Sequence, residues 1–320
     1  MNNYIIYKDW YQNPLLINKF TEIMQLPGPC NFSRIGGADY KIAIYYYFDN
    51  SFYDDNKNYK YWLKMAKNDP GYFDFENKKE NFILYAKQLI EYFKNLDYCF
   101  YAGKDLIDQI DNNIYSKEDE KFLNYILNNK NIIHYSFIES ILPFLESFKV
   151  WGENKKILII SPLSKSLIYQ YQRINKIIKN YNFPKFELIT IDTNLTWQHE
   201  NDTKESLGLI TNNWHEECNR LSKEILKVDF DVAFLSCGSY AMYCGDFIKN
   251  VMKKKSIYVG GILNVLFGIY GKRYDNSFFM QFTYPEYRIN PFENEKVKKI
   301  TAGRLFKNEA VFAYFGEKNE

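Results

Sequence analysis

Four apolar runs in the second half of the chain, each followed by a helical pattern, restrict the fold more than any other feature. They are Ile157-Leu158-Ile159-Ile160-Ser161, Phe186 to Ile191, Phe230 to Gly238, and Ser256-Ile257-Tyr258-Val259, the last running into Gly260-Gly261. Strands apolar on both faces belong in a covered parallel sheet. The spacing between them predicts helices over about 164–180, 203–227 and 239–253. Such alternation builds a mostly parallel sheet with right-handed crossovers and helices on both faces, so a Rossmann-like α/β half is expected for residues 151–320. Ligands on such sheets sit beyond the carboxyl ends of the strands, which directs attention to the turns at about 161–164, 192–197, 237–244 and 260–264.

The first half reads as a second α/β unit over residues 1–150. A helical segment at 13–25 is stopped by Leu26-Pro27-Gly28-Pro29. Asn31-Phe32-Ser33-Arg34-Ile35 is extended and enters the turn Gly36-Gly37-Ala38-Asp39, and an aromatic helix continues through Phe48. Residues 50–78 show little period, 79–95 are helical, and Tyr98-Cys99-Phe100-Tyr101 repeats the strand pattern. Helices at about 116–128 and 137–148 bracket Ile132-Ile133-His134, and the polar stretch Trp151 to Lys156 marks the boundary between the halves. A chain of 320 residues is long enough for two cores. The segment after Asp275, with Pro285 and Pro291, is expected to be irregular and to pack back across the sheet.

Three turns carry candidate chemistry. In Arg34-Ile35-Gly36-Gly37-Ala38-Asp39, bare glycine amides and an arginine suit a phosphate, and Asp39 suits a metal, a hydroxyl or a helix cap. In Cys237-Gly238-Ser239-Tyr240, a glycine follows an apolar strand at the positive end of the next helix, although the run is not GxGxxG. In Gly260-Gly261-Ile262-Leu263-Asn264, paired glycines end a strand, Asn264 can face a site, and Lys272-Arg273 can pair with phosphate. The structural alternative for each is a tight packing turn with a solvated helix end. Lys253-Lys254-Lys255 reads as compensation for the dipole of the helix before it, with a phosphate or membrane contact as the other reading.

Other classes find little support. The net charge of +2, from 41 basic and 39 acidic residues, gives no field to hold a nucleic-acid backbone. The five cysteines form no CxxC pair and read as reduced thiols, and no run is long and apolar enough to span a bilayer. A cytoplasmic location, with a peripheral membrane position allowed, is the expectation. Trp197-Gln198-His199-Glu200 and Trp214-His215-Glu216-Glu217 set acids beside histidine, yet neither HExxH nor a GxSxG elbow occurs. The 29 tyrosines and 26 phenylalanines are spread too evenly to mark a sugar-stacking platform.

Taken together, Ile157 to Pro162, Tyr169 to Arg173, Trp214, Phe230-Asp231-Val232-Ala233, Gly238-Ser239-Tyr240, Gly260-Gly261 to Arg273 and Arg34 to Asp39 resemble a family of bacterial and viral surface-polysaccharide proteins. The resemblance covers most of residues 31–280 and points to the GT-D type of glycosyltransferase. It implies transfer of a sugar from a nucleotide-sugar donor to a hydroxyl on a glycan or lipid-linked acceptor, with Mn²⁺ or Mg²⁺ at the donor diphosphate, and a homodimer is allowed. In that type an arginine precedes a D-x-E motif. Laying Arg34 on the arginine puts Asp39 at the glutamate and Gly37 where the aspartate belongs. The expected site is then Asp39 as base or metal ligand and Glu217 as a second choice of base. Around them stand Arg34, Gly36, Gly37, Gly238, Ser239, Tyr240, Gly260, Gly261, Asn264, Lys272 and Arg273 for the nucleotide and its phosphates. The alternatives are another Rossmann-type nucleotide-cofactor enzyme, such as a methyltransferase, and a non-catalytic carbohydrate-binding or assembly protein.

Overall fold

A computed structural model describes residues 5–7, 14–48, 56–68, 70–101, 117–128, 130–134, 136–139, 141–194, 202–271 and 282–293. Its centre is one eight-stranded sheet in which every pairing is parallel. The strands are β1 (Ile5–Tyr7), β2 (Cys30–Ile35), β3 (Tyr98–Tyr101), β4 (Asn131–His134), β5 (Lys156–Ser161), β6 (Glu187–Asp192), β7 (Val232–Leu235) and β8 (Lys255–Tyr258). Their spatial order is β1-β4-β3-β2-β8-β7-β5-β6. The four apolar runs read from the sequence are β5 to β8, and β5 and β7 are buried almost from end to end, as a strand covered on both faces must be.

The helices are α1 (Pro14–Gln25), α2 (Gly37–Phe48), α3 (Asn56–Asn68), α4 (Lys79–Asn95), α5 (Lys117–Ile126), α6 (Ser136–Glu139), α7 (Leu142–Trp151), α8 (Ser164–Tyr171), α9 (Trp214–Ile225), α10 (Tyr240–Asn250) and α11 (Ile262–Leu266). Steps β2 to β3 and β7 to β8 move along the sheet in one direction, and β1 to β2 and β5 to β6 in the other. Right-handed crossovers therefore send α2, α4 and α10 to one face and α1 and α8 to the opposite face. The contacts agree, since α10 packs on α4 and α9 while α1 packs on α7.

The boundary expected at 151–156 falls between α7 and β5, but the two halves share the sheet. Residues 30–32 of β2 pair with 255–257 of β8. The Ser256 hydroxyl donates to Asn31 Oδ1 at 3.1 Å, and Gly245 of α10 lies so close that a Cβ there would stand 2.8 Å from the same oxygen.

Three expectations about elements change. The helix expected from 203 begins only at Trp214, because Gly208 is left-handed (φ 66°) and Asn213 caps the helix by accepting the Glu216 amide at 3.0 Å. The helix expected over 164–180 stops at Tyr171 and gives way to a short 3₁₀ turn at Ile174–Lys176. Part of the aperiodic stretch 50–78 forms α3, whose Trp62 and Ala66 are buried. The described part of the tail, residues 282–293, packs back, with Thr283 bridged to Ile178 and Ile289 to Ile269.

Candidate functional site

Because every strand is parallel, the turns after β2, β8, β7 and β5 lie side by side along the carboxyl edge. This order brings Gly36, Gly261 and Gly238 onto neighbouring strand ends, as their sequence pattern predicts. The connection leaves β5 toward β6 but leaves β7 toward β8, so the strand order reverses between β5 and β7. That reversal is where sheets of this kind open a crevice.

Asp39 stands in the first turn of α2, half-buried. Its Oδ1 accepts a 2.8 Å hydrogen bond from the Tyr85 hydroxyl. The other oxygen, Oδ2, folds back over Gly36, where an added Cβ would stand 2.8 Å from it. Glycine at 36 thus makes room for the carboxylate. Burial and the Asp39 charge push the Tyr85 hydroxyl well above the ordinary tyrosine range, so it remains a proton donor. Arg34, the penultimate residue of β2, is half-buried opposite Phe100 of β3, and Gly37 is exposed at the start of α2.

A buried chain of contacts joins Asp39 to the turn after β7. The Tyr85 ring meets Trp214 edge-on at 5.0 Å, and Trp214 Nε1 donates to the Ser239 hydroxyl at 3.0 Å. Ser239 itself is committed to the protein. Its amide donates to the Pro70 carbonyl at 2.9 Å, and its hydroxyl also reaches the Gly71 carbonyl at 3.3 Å. Tyr240 is 1% exposed and stacks on Trp214 at 6.2 Å. Ser239 and Trp214 therefore fasten residues 70–73 across the α10 N-terminus, and Tyr240 packs behind them on Trp214, so the Ser239 hydroxyl and the Tyr240 ring, both expected at a nucleotide, are engaged within the protein. Gly238 (φ 57°) and Gly260 (φ 62°) are both left-handed, and the Gly260 amide donates to Leu235 O at 3.0 Å.

Glu217 is also redirected. It is wholly buried and accepts from Asn194 Nδ2, Thr211 Oγ1 and the Arg220 guanidinium, the shortest contact being 2.6 Å to Nη2. Arg220 reaches on to Asp192 O, so the pair clamps α9 to the end of β6. A wholly buried carboxylate held by this many donors anchors α9 where a base was expected, and its hydrogen bonds all go to the protein. His215, two residues earlier on α9, sets its Nε2 on Asn81 O at 2.8 Å, and burial lowers its affinity for a proton.

Two features of the edge escaped the sequence reading. Glu293 of the tail, 4% exposed, places its carboxylate on the N-terminus of α8. Oε1 accepts from the amides of Lys165 (2.9 Å) and Ser166 (3.2 Å), and Oε2 from the Ser166 hydroxyl (2.5 Å). The chain's own anion fills the seat that such a helix end offers to a ligand. Nothing local in the sequence signals a contact across more than 120 residues. The second feature is a set of buried polar atoms beyond the ends of β6, β7 and β8, of which the sequence reading singled out only Asn264. Thr193 Oγ1, Ser236 Oγ and both amide atoms of Asn264 find no hydrogen-bond partner among the described residues.

No group of three or more His, Cys, Asp or Glu suited to a metal occurs among the described residues. Asp39 is the lone carboxylate of its turn, as Gly37 in the D-x-E position implies. Lys272, Arg273, His199 and Glu200 lie outside the described residues. All five cysteines are free and buried, and burial raises the Cys99 thiol to about 12. No helix among the described residues is long and apolar enough to cross a membrane.

The chain matches no protein-family model, no curated protein and no solved structure.

Proposed function

We propose that the protein is a glycosyltransferase that moves a sugar from a nucleotide-sugar donor to a hydroxyl acceptor at the carboxyl edge of the sheet. The observation that carries this reading is the Asp39 carboxylate, half-buried at the end of a central parallel strand and fixed by the Tyr85 hydroxyl. A second support is the group of unpartnered polar atoms on Ser236 and Asn264, because unmet buried polar groups each cost about 1–3 kcal/mol and collect where a polar ligand satisfies them.

In this reading the acceptor hydroxyl passes its proton to Asp39 as its oxygen attacks the anomeric carbon. The bond from that carbon to the phosphate oxygen breaks, and the nucleoside diphosphate leaves with the electron pair. Arg34 and the exposed first amides of α2 offset the charge gathering on the leaving group. The described residues do not make a metal cage, and the steps are assigned to Arg34, Asp39 and backbone amides. Gly238 and Gly260 shape the neighbouring turns without touching the chemistry.

Asp39→Asn tests the assignment. It keeps the shape of the side chain and can still accept from Tyr85, but takes up a proton poorly. Transfer falls by about 10²-fold or more while circular dichroism and donor affinity stay as in the wild type. Near-normal turnover in the variant would reduce Asp39 to a helix cap and remove the reading's main support.

A further inference from the structure

The opposite edge of the sheet carries a charged feature that the transfer reaction does not use. A cavity of about 260 Å³ opens at the amino ends of β7 and β8 beside the end of α1, and its wall includes Leu26, Gly28, Lys155, Asp231, Lys253 and Lys255. Lys254 also lines it, but its ammonium is bound to Asp229 (2.9 Å) and to Phe230 O, and lies over the Phe230 ring. Lys254 therefore does not serve the helix before it, the role expected of the run from the sequence. Lys255, 8% exposed, instead donates to the Met24 (3.2 Å) and Leu26 carbonyls and neutralises the negative end of α1.

That arrangement leaves positive charge unbalanced at the cavity. An ammonium has three donors, and Lys255 spends two on carbonyls. Burial, and after it the charge of nearby Lys155, lowers the affinity of Lys255 for a proton. Lys155, Lys253 and Lys255 form no ion pair with a carboxylate among the described residues. Lys253 is exposed and held in the left-handed region (φ 56°), a conformation that a lysine adopts only under constraint. The one carboxylate on the wall, Asp231, is exposed and turned to the Lys156 amide at 2.8 Å. Three like charges around a small space repel one another, and an anion between them converts that repulsion into attraction. The space is below the size range of pockets that take drug-sized ligands, which suits a small anion.

We propose that this amino-edge cavity is an anion site that takes a compact phosphate-class group through Lys155, Lys253 and Lys255. The group is either a free phosphate or diphosphate, or the phosphate of a lipid headgroup. The site lies across the sheet from Asp39, so it stands or falls independently of the transfer reaction.

The test is a titration of the full-length chain with inorganic pyrophosphate, followed through backbone amide resonances, with a Lys155→Gln/Lys253→Gln variant beside the wild type. Both lysines are at least partly exposed, so the variant keeps the fold. Saturable shifts at Gly28, Lys155 and Lys253, with affinity lower by about tenfold or more in the double variant, are the expected result. Sedimentation with phosphatidylcholine vesicles, with and without phosphatidic acid, identifies the source. Binding that requires phosphatidic acid and both lysines assigns a headgroup, whereas pyrophosphate shifts without sedimentation assign a free anion. If there are neither shifts nor sedimentation, or equal affinity in the variant, or shifts confined to Gly36 and Gly238 on the other edge, the proposal is overturned.

Discussion

Asp39 has two neighbours that determine what nearby substitutions do. Tyr85→Phe removes the hydroxyl that holds Oδ1 and leaves the carboxylate in place. Its expected effect on turnover is smaller than that of Asp39→Asn, about tenfold, because a positioning contact is lost and not the proton acceptor. Donor affinity, measured by calorimetry, should stay unchanged, and an effect on affinity alone would contradict the positioning role. Glu217 gives the opposite signature. Glu217→Ala leaves the Arg220 guanidinium without its partner, and since Arg220 is partly solvated the cost is about 1–3 kcal/mol of stability. Urea unfolding should register this loss while ligand binding at the carboxyl edge persists. Loss of turnover in a variant that unfolds at the wild-type midpoint would return Glu217 to the chemistry.

The turns add their own expectations. Gly238→Ala and Gly260→Ala each force a side chain into the left-handed region, at about 1–2 kcal/mol. Gly36→Ala acts differently, because Gly36 has an ordinary backbone and its new Cβ meets only Asp39 Oδ2. The carboxylate must swing aside, so turnover falls with little change in stability, and thermal melting beside a kinetic assay separates the two cases. Strands β5, β7 and β8 were legible in the sequence because burial on both faces writes a continuous apolar run, and β6, only partly buried at the sheet edge, by its short β-branched stretch. The start of α9 was not legible from periodicity, since its apolar spacing extends back past the Asn213 cap. Asn56–Asn68 does carry helical spacing at Tyr59, Trp62, Leu63 and Ala66, but the lysines and asparagines around that stripe concealed α3. At the site, the placing of the turns on one edge followed from parallel strands alone, whereas their order along it, with β2 beside β8, did not. What each turn touches did not, because Ser239 meets Gly71 and Ser166 meets Glu293 across 168 and 127 residues of chain.

One sheet spans both halves of the chain, with β2 seated against β8 and α10 packed on β2 as well as on β8. Unfolding should therefore be a single transition, although composition alone allows two cores. Far-ultraviolet circular dichroism and tryptophan fluorescence should give coincident urea curves, and two resolved midpoints would show that the halves melt separately. The same continuity places Arg34 of the first half on the edge shared with the turns of the second. Calorimetry with UDP, GDP, CMP, NAD and S-adenosylmethionine, on the wild type and Arg34→Ala, tests that placement most directly. The account predicts that a nucleoside diphosphate binds and that Arg34→Ala weakens it about tenfold or more, with the matching nucleoside unaffected. Binding of NAD or S-adenosylmethionine in place of a nucleoside diphosphate, or equal losses for nucleoside and diphosphate, would contradict it.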